Sequence, residues 1–141
     1  MATLTLLSLD SSFLIDFLAG DSGAVEKMRH IERDGSTVVV SSVVVYELLV
    51  LSAGDRKPAK IQRAINIVES LLSRIALIWP LDLESAKRAA EIQRIQMSKG
   101  RPVSIRDLFI AAIALAHGCQ TIVTRNTRDF ELIDGVRVES Y

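Results

Sequence analysis

A set of polar residues stands where predicted strands end or a predicted helix begins. Asp10 ends the first predicted strand, Glu47 follows the second, and Asp107 lies in the first turn of a helix. Asn126 and Asp129 follow a strand that begins near position 121. Carboxylates gather only where a cation offsets their mutual repulsion. Because no His or Cys stands among these residues, the ligands are all oxygen atoms, which favours Mg²⁺ or Mn²⁺ over Zn²⁺.

Asp107 also has a purely structural interpretation. Ser104 is a suitable N-cap, and an acid three residues later completes a capping box and gains from the helix dipole. The apolar run that follows predicts a buried helix that ends at Gly118. Taken alone, this motif favours a helix cap. The acids elsewhere in the chain shift the interpretation toward a metal ligand.

Glu47 lies among apolar residues of a predicted helix. A lone carboxylate in such surroundings costs several kcal/mol unless it is paired, protonated or bound to a metal. Two explanations stay open from the sequence alone. Either an arginine from elsewhere in the chain pairs with Glu47, or a cation binds it.

The elements that must position these residues alternate between strand and helix. Strands are predicted at 3–9, 37–40, 75–79, 121–124 and, as an edge strand, 135–139. Helices are predicted at 13–18, 23–33, 42–51, 59–74, 82–98 and 104–118, with a polar turn at 125–129. Segment 41–51 can also extend the second strand, but Ser41 or Ser42 is a good N-cap, which favours a helix.

This alternation predicts an α/β protein, a three-layer sandwich with a central, mainly parallel sheet. No linker, repeat or low-complexity segment interrupts the 141 residues, so we expect a single domain spanning 1–141. In such folds sites form beyond the carboxyl ends of the strands, where Asp10, Glu47, Asn126 and Asp129 are expected.

Composition narrows the possible functions. The formal net charge is zero, which argues against a protein that coats nucleic acid through bulk charge but not against a local basic patch. The single Cys119 cannot form an internal disulfide and indicates a reducing compartment. The first residues carry no basic segment typical of a signal peptide, and no apolar run approaches a membrane span. We therefore expect a cytoplasmic protein without membrane contact.

Basic and hydroxyl side chains beside the acids can bind substrate. Thr124 ends a predicted strand, and its hydroxyl can hold a water or a phosphate. Arginine binds phosphate bidentately, and equally well lies in solvent or pairs with a carboxylate. The arginines beside the acidic motifs are Arg101, Arg106, Arg125 and Arg128.

Several motifs together resemble the PIN-domain ribonucleases, and in particular the VapC toxin branch of toxin–antitoxin systems. The resemblance covers nearly the whole chain, with the motifs in order and at suitable spacing. The motifs are Leu9-Asp10-Ser11-Ser12, Leu14-Ile15, Glu47-Leu48, Asp107 with Ile110-Ala111-Ala112, and Thr124-Arg125-Asn126 with Asp129-Phe130.

The resemblance implies a ribonuclease in which Mg²⁺ or Mn²⁺ activates water to cut RNA. Asp10 and Asp107 would be the principal metal ligands, and Glu47 would complete the site. The resemblance also implies a cognate antitoxin as partner and a homodimer. Ser12 stands where Asn is common in the family, and Asn126 where many relatives have Asp. The fourth carboxylate is therefore Asp129 in one interpretation, and either one or two metals remain possible.

Other classes of function receive less support. A phosphoacceptor or haloacid-type enzyme would need a second Asp two residues after Asp10, and a P-loop would need a Gly-x-x-x-x-Gly-Lys-Ser/Thr motif that is absent. The stronger alternative is a non-catalytic PIN-like regulatory module that acts through a partner protein or DNA. The intact Asp10, Glu47 and Asp107 disfavour it, because a site that has lost its function tends to lose costly carboxylates.

Overall fold

A five-stranded parallel sheet forms the centre of the computed structural model, which describes residues 5–54 and 57–141. Every strand pairing in the sheet is parallel, and the order is β3-β2-β1-β4-β5. The mainly parallel sheet is thus confirmed, while predicted strand positions 3 and 4 lie outside the described residues. The strands are β1 (Leu6–Leu9), β2 (Thr37–Ser41), β3 (Leu77–Trp79), β4 (Thr121–Val123) and β5 (Arg137–Glu139).

Helices cover both faces of this sheet. Right-handed crossovers between parallel strands place α1 to α4 on one face and α5 to α7 on the other. The packing agrees: α1 contacts α2 and α3, α3 contacts α4, and α6 contacts α5 and α7, while α3 also meets α6, where Glu47 pairs with Arg106. The predicted three-layer sandwich is therefore confirmed. The helices are α1 (Ser11–Leu18), α2 (Ser22–Arg33), α3 (Ser42–Ala53), α4 (Pro58–Leu72), α5 (Leu83–Ser98), α6 (Ile105–Ala116) and α7 (Thr127–Glu131).

The strand order reverses at β1, and this position determines where a site can form. From β1 the chain moves outward through β2 to β3, then returns to place β4 on the other side of β1. A crevice opens beyond the carboxyl ends of the strands where the order reverses. Asp10 follows β1 and Thr124 follows β4, and the Asp10 amide donates to the Val123 carbonyl at 3.0 Å. The two residues are therefore held side by side at the crevice.

The ambiguous segment after β2 is a helix, as the capping serines predicted. Ser41 has extended dihedrals and is the N-cap of α3, and its hydroxyl accepts from the Val44 amide at 3.2 Å. Val44 and Leu48 are completely buried. Leu51, which the helical spacing places on the same face as Val44 and Leu48, is instead 55% exposed. It lies one helical turn further on and lines the mouth of the cleft described below.

The turn predicted at 125–129 is wrong in part, because α7 begins within it at Thr127. Five residues are too few to give a helical periodicity in the sequence. Burial explains the helix: Phe130 is completely buried and Ile133, three residues on, is 2% exposed. Helix α7 contacts β5 and α6, and Phe130 and Ile133 both join the hydrophobic core. Among the described helices, none has the length and apolar character needed to cross a bilayer.

Candidate active site

A cleft of about 460 Å³ opens at the carboxyl edge of the sheet. The three carboxylates predicted as metal ligands, Asp10, Glu47 and Asp107, all line it although they come from three different elements. The other lining residues are Ser11, Ser12, Ile15, Leu51, Arg106, Arg125 and Asn126. The structure therefore brings the predicted acids together at one place.

Asp10 occupies the N-cap position of α1 but makes no capping hydrogen bond with its side chain. The residue as a whole is only 5% exposed, and its carboxylate faces the cleft instead. Its Oδ2 accepts from the Thr124 hydroxyl at 2.7 Å and from the Ser12 hydroxyl at 3.1 Å. These two donors fix the orientation of the carboxylate.

Ser12 and Thr124 also tie the loop after β4 to the start of α1. The Thr124 hydroxyl accepts from the Asn126 amide at 2.9 Å, and the Ser12 hydroxyl accepts from the Arg125 amide at 3.1 Å. The two hydroxyl oxygens lie 3.1 Å apart. Ser12 thus supports the Asp10 loop directly through its hydroxyl. Because Thr124 is fully buried and bound to Asp10, it positions that carboxylate.

Glu47 is 4% exposed and is paired, as one of the two explanations from the sequence required. Arg106 Nη1 donates to its Oε2, and the Ser11 hydroxyl donates to its Oε1 at 3.2 Å. Burial raises the pKa of Glu47 above its ordinary value. The Arg106 charge opposes that rise and the Asp10 charge adds to it, so the buried Glu47 carboxylate is incompletely compensated.

Asp107 combines both roles considered for it. The Ser104 hydroxyl caps α6 by accepting from the Asp107 amide at 3.3 Å, while the Asp107 carboxylate lines the cleft. Burial raises its pKa above the ordinary value, the Ser104 hydrogen bond opposes this, and the charges of Asp10 and Asp129 add to the rise. The acids therefore interact electrostatically across the cleft.

Asn126 and Asp129 form a pair at the edge of the site. The Asn126 side chain lines the cleft and donates to Asp129 Oδ2 at 3.1 Å. Asp129 lies behind it, half-buried in the first turn of α7, and its charge is felt at Asp107. Asn126 lines the cleft and Asp129 is not among its lining residues in the described part of the chain; which of the two completes the ligand set stays a prediction.

The predicted arginines separate into two groups. Arg106 and Arg125 line the cleft, whereas exposed Arg101 and Arg128 are not among its lining residues in the described part of the chain. Arg125 Nη1 donates to both oxygens of Asp16, at 2.9 and 3.0 Å. Sequence reasoning missed Asp16, although a single acid in the apolar segment 13–18 is the same signal that identified Glu47.

The donor set fits a hard divalent cation in its chemistry, since it consists of buried carboxylate oxygens without His or Cys. As the side chains stand, however, residues 5–54 and 57–141 contain no three His, Cys, Asp or Glu grouped closely enough to hold a metal ion. Glu47 is turned toward Ser11 and Arg106. Mg²⁺ or Mn²⁺ would therefore be held by Asp10, Glu47 and Asp107 after rotation of side chains.

The protein has an open parallel α/β sheet, and its acidic cleft lies at the carboxyl ends of the strands where the strand order reverses. It therefore belongs to the class of α/β proteins whose site offers oxygen ligands. The family model described as PIN domain matches residues 7–136. The chain belongs to the PIN-domain family, as its motifs predicted.

Relatives within this family are VapC proteins. The chain is 32% identical over 106 residues to a protein of Salmonella typhimurium named "tRNA(fMet)-specific endonuclease VapC", covering 75% of this chain and 76% of that one. It is 29% identical over 133 residues to the protein of the same name from Shigella flexneri, covering 94% and 96%. Among solved structures, DNA-bound VapBC from Salmonella typhimurium matches with a TM-score of 0.80 and 27% identity, covering 98% of both chains.

Proposed function

We propose that this protein is a metal-dependent ribonuclease and the toxin of a toxin–antitoxin pair. The convergence on one cleft of three buried carboxylates, from the N-cap of α1 and from helices α3 and α6, carries the proposal. Family membership and the names of the VapC relatives support RNA as the substrate. We propose that the protein acts in the cytoplasm, where it would encounter both RNA and a protein partner. We also expect it to form a homodimer.

Different side chains of the cleft would serve different roles in phosphodiester hydrolysis. The Asp10 carboxylate is oriented by the Thr124 and Ser12 hydroxyls, and Asp107 presents its carboxylate to the cleft from the first turn of α6. When bound, a divalent cation lowers the pKa of a water and offsets the charge that develops on the phosphate. Arg125 lies on the rim, anchored by Asp16, where it can bind a flanking phosphate.

The direct test is cleavage of RNA by the purified protein. We expect cleavage of total cellular RNA in Mn²⁺ or Mg²⁺, and a loss of at least about 100-fold when EDTA removes the metal, by analogy with the cost of disturbing metal sites. Mapping the new RNA ends by sequencing identifies the target. Cleavage that continues unchanged in EDTA would reject the metal-dependent mechanism.

A non-catalytic regulatory module remains the alternative. DNA appears with toxin–antitoxin complexes among the structural neighbours, so a role through a partner on DNA is a specific competitor. The buried acids argue against it, because burial raises the pKa of Glu47 and Asp107 and marks both charges as costly to the fold. A folded, Mn²⁺-treated protein that cuts no cellular RNA would favour this alternative.

A groove along α4 offers a surface for the antitoxin. Phe17, Leu18, Ile67 and Leu71 line it with apolar surface, and Arg63, Arg74 and Asn66 stand at the same groove. An apolar floor beside exposed basic groups fits an amphipathic segment with acidic residues at its edge. We propose that the antitoxin binds here with a segment of this kind.

Expression of the protein alone is expected to arrest growth, and coexpression with its antitoxin to relieve the arrest. Arg74→Glu should weaken the relief while leaving RNA cleavage unchanged, because the charge reversal opposes an acidic partner outside the cleft. Arg94→Glu on α5, across the sheet, is the matched control and should leave relief intact. Growth curves with both variants test this, and full relief of the Arg74→Glu toxin would contradict the proposed surface.

A further inference from the structure

The contact between Glu47 and Arg106 joins a buried group to an exposed one. The Glu47 side chain is 4% exposed and the Arg106 side chain is 57% exposed. Arg106 therefore reaches from the surface into the mouth of the cleft, where its Nη1 donates to Oε2 of Glu47. The Ser11 hydroxyl donates to Oε1, so both oxygens of the Glu47 carboxylate accept hydrogen bonds from side chains of this protein.

A buried carboxylate needs a compensating charge, and Arg106 supplies it here. Among the influences that lower the pKa of Glu47, the Arg106 charge is the largest, although burial outweighs it. A divalent cation at Asp10 and Asp107 would meet the same need. An arginine and a metal ion repel each other, so both are poorly held by the same carboxylate at once.

The placement of the acids agrees with such a competition. Asp107 and Arg106 are neighbours in the first turn of α6, so one turn of helix carries a predicted ligand and the group that pairs with Glu47. The three predicted ligands line the same cleft as Arg106, so the guanidinium and a bound cation would meet at the same Glu47 carboxylate.

We propose that Arg106 is an internal counter-ion, which holds the Glu47 carboxylate in the metal-free protein and releases it when a divalent cation binds. Release leaves neither charge uncompensated, because the cation then balances the buried Glu47 carboxylate and the Arg106 side chain, already 57% exposed, moves fully into solvent. The freed guanidinium remains on the rim of the cleft, where it binds an RNA phosphate. This inference rests on the proposed function, since it requires a metal in the cleft.

The affinity for Mn²⁺, measured by titration calorimetry without RNA, tests the inference apart from catalysis. Arg106→Gln removes the competitor, so the Kd for Mn²⁺ should fall roughly threefold to tenfold, as expected for a partly exposed ion pair. Arg125→Gln is the matched control. It removes the same charge from the same cleft, but its partner is Asp16, so the Kd should change less.

A double-mutant cycle assigns the effect to Glu47. In a Glu47→Gln background there is no carboxylate to compete for, so adding Arg106→Gln should leave the Mn²⁺ Kd unchanged. The inference would be overturned if Arg106→Gln still lowered the Kd for Mn²⁺ in that background. It would also be overturned if Arg106→Gln and Arg125→Gln lowered the Kd equally. Circular dichroism establishes that each variant is folded.

The remaining outcomes distinguish this inference from the function on which it rests. If the wild-type protein binds no Mn²⁺, both the metal site and the role of Arg106 are rejected. If the wild type binds Mn²⁺ but Arg106→Gln binds it equally or more weakly, the metal site stands and Arg106 is a permanent structural partner of Glu47.

Discussion

Asp10→Asn is expected to lower the rate of RNA cleavage by at least about 100-fold while the protein keeps its fold. Even groups that only orient metal ligands cost about 10-fold to 100-fold when removed, so loss of a ligand should cost more. The amide has the size of the carboxylate, and its oxygen can still accept from Thr124 and Ser12. The substitution therefore removes the negative charge and little else.

Initial rates on one RNA at a fixed Mn²⁺ concentration measure this effect, with circular dichroism and melting temperature as checks on the fold. Asp21→Asn is a matched control, because Asp21 caps α2 by accepting from the Ala24 amide at 2.9 Å and lies outside the cleft. Asn caps helices nearly as well as Asp, so its rate should equal that of the wild type. A folded Asp10→Asn protein that cleaves at the wild-type rate would exclude Asp10 from the mechanism.

The sheet could be predicted because parallel strands are buried on both faces and therefore appear as uninterrupted apolar runs. Val39, Val40 and Ile122 are among the buried residues that gave this signal. The helix α7 could not be predicted in the same way. Its five residues carry no periodicity, and only tertiary burial of Phe130 explains it.

The site was predictable in its residues but not in its contacts. Asp10 and Glu47 could be assigned to one edge of the sheet because each follows a strand, and that reasoning needs topology alone. The partner of Glu47 depends on how α6 lies beside α3, which no local pattern specifies. The sequence therefore left Arg106 among four arginines, and the structure identifies it as the one that pairs with Glu47.

Glu47→Gln is expected to be at least as stable as the wild type without metal at pH 7. Burial raises the pKa of Glu47, so the folded state favours the neutral form, and Gln supplies a neutral side chain of the same shape. The cost of the charge is present above the folded pKa and is relieved as the pH falls through it toward the ordinary value. The stability of the wild type should thus approach that of the variant as the pH falls from 7 toward the ordinary Glu pKa of about 4.3.

Mn²⁺ should reverse this order of stability. A ligand that binds only the folded state stabilises it by about 2.7 kcal/mol at 100 times its Kd, which raises the melting temperature of a domain of this size by several degrees. The wild type should show the full rise and Glu47→Gln a smaller one, because the variant has lost a ligand charge. Glu91→Gln, an exposed acid on α5, is the control and should behave as the wild type. Equal Mn²⁺ shifts in wild type and Glu47→Gln would instead make Glu47 a structural partner of Arg106, with the cation held by the remaining acids alone.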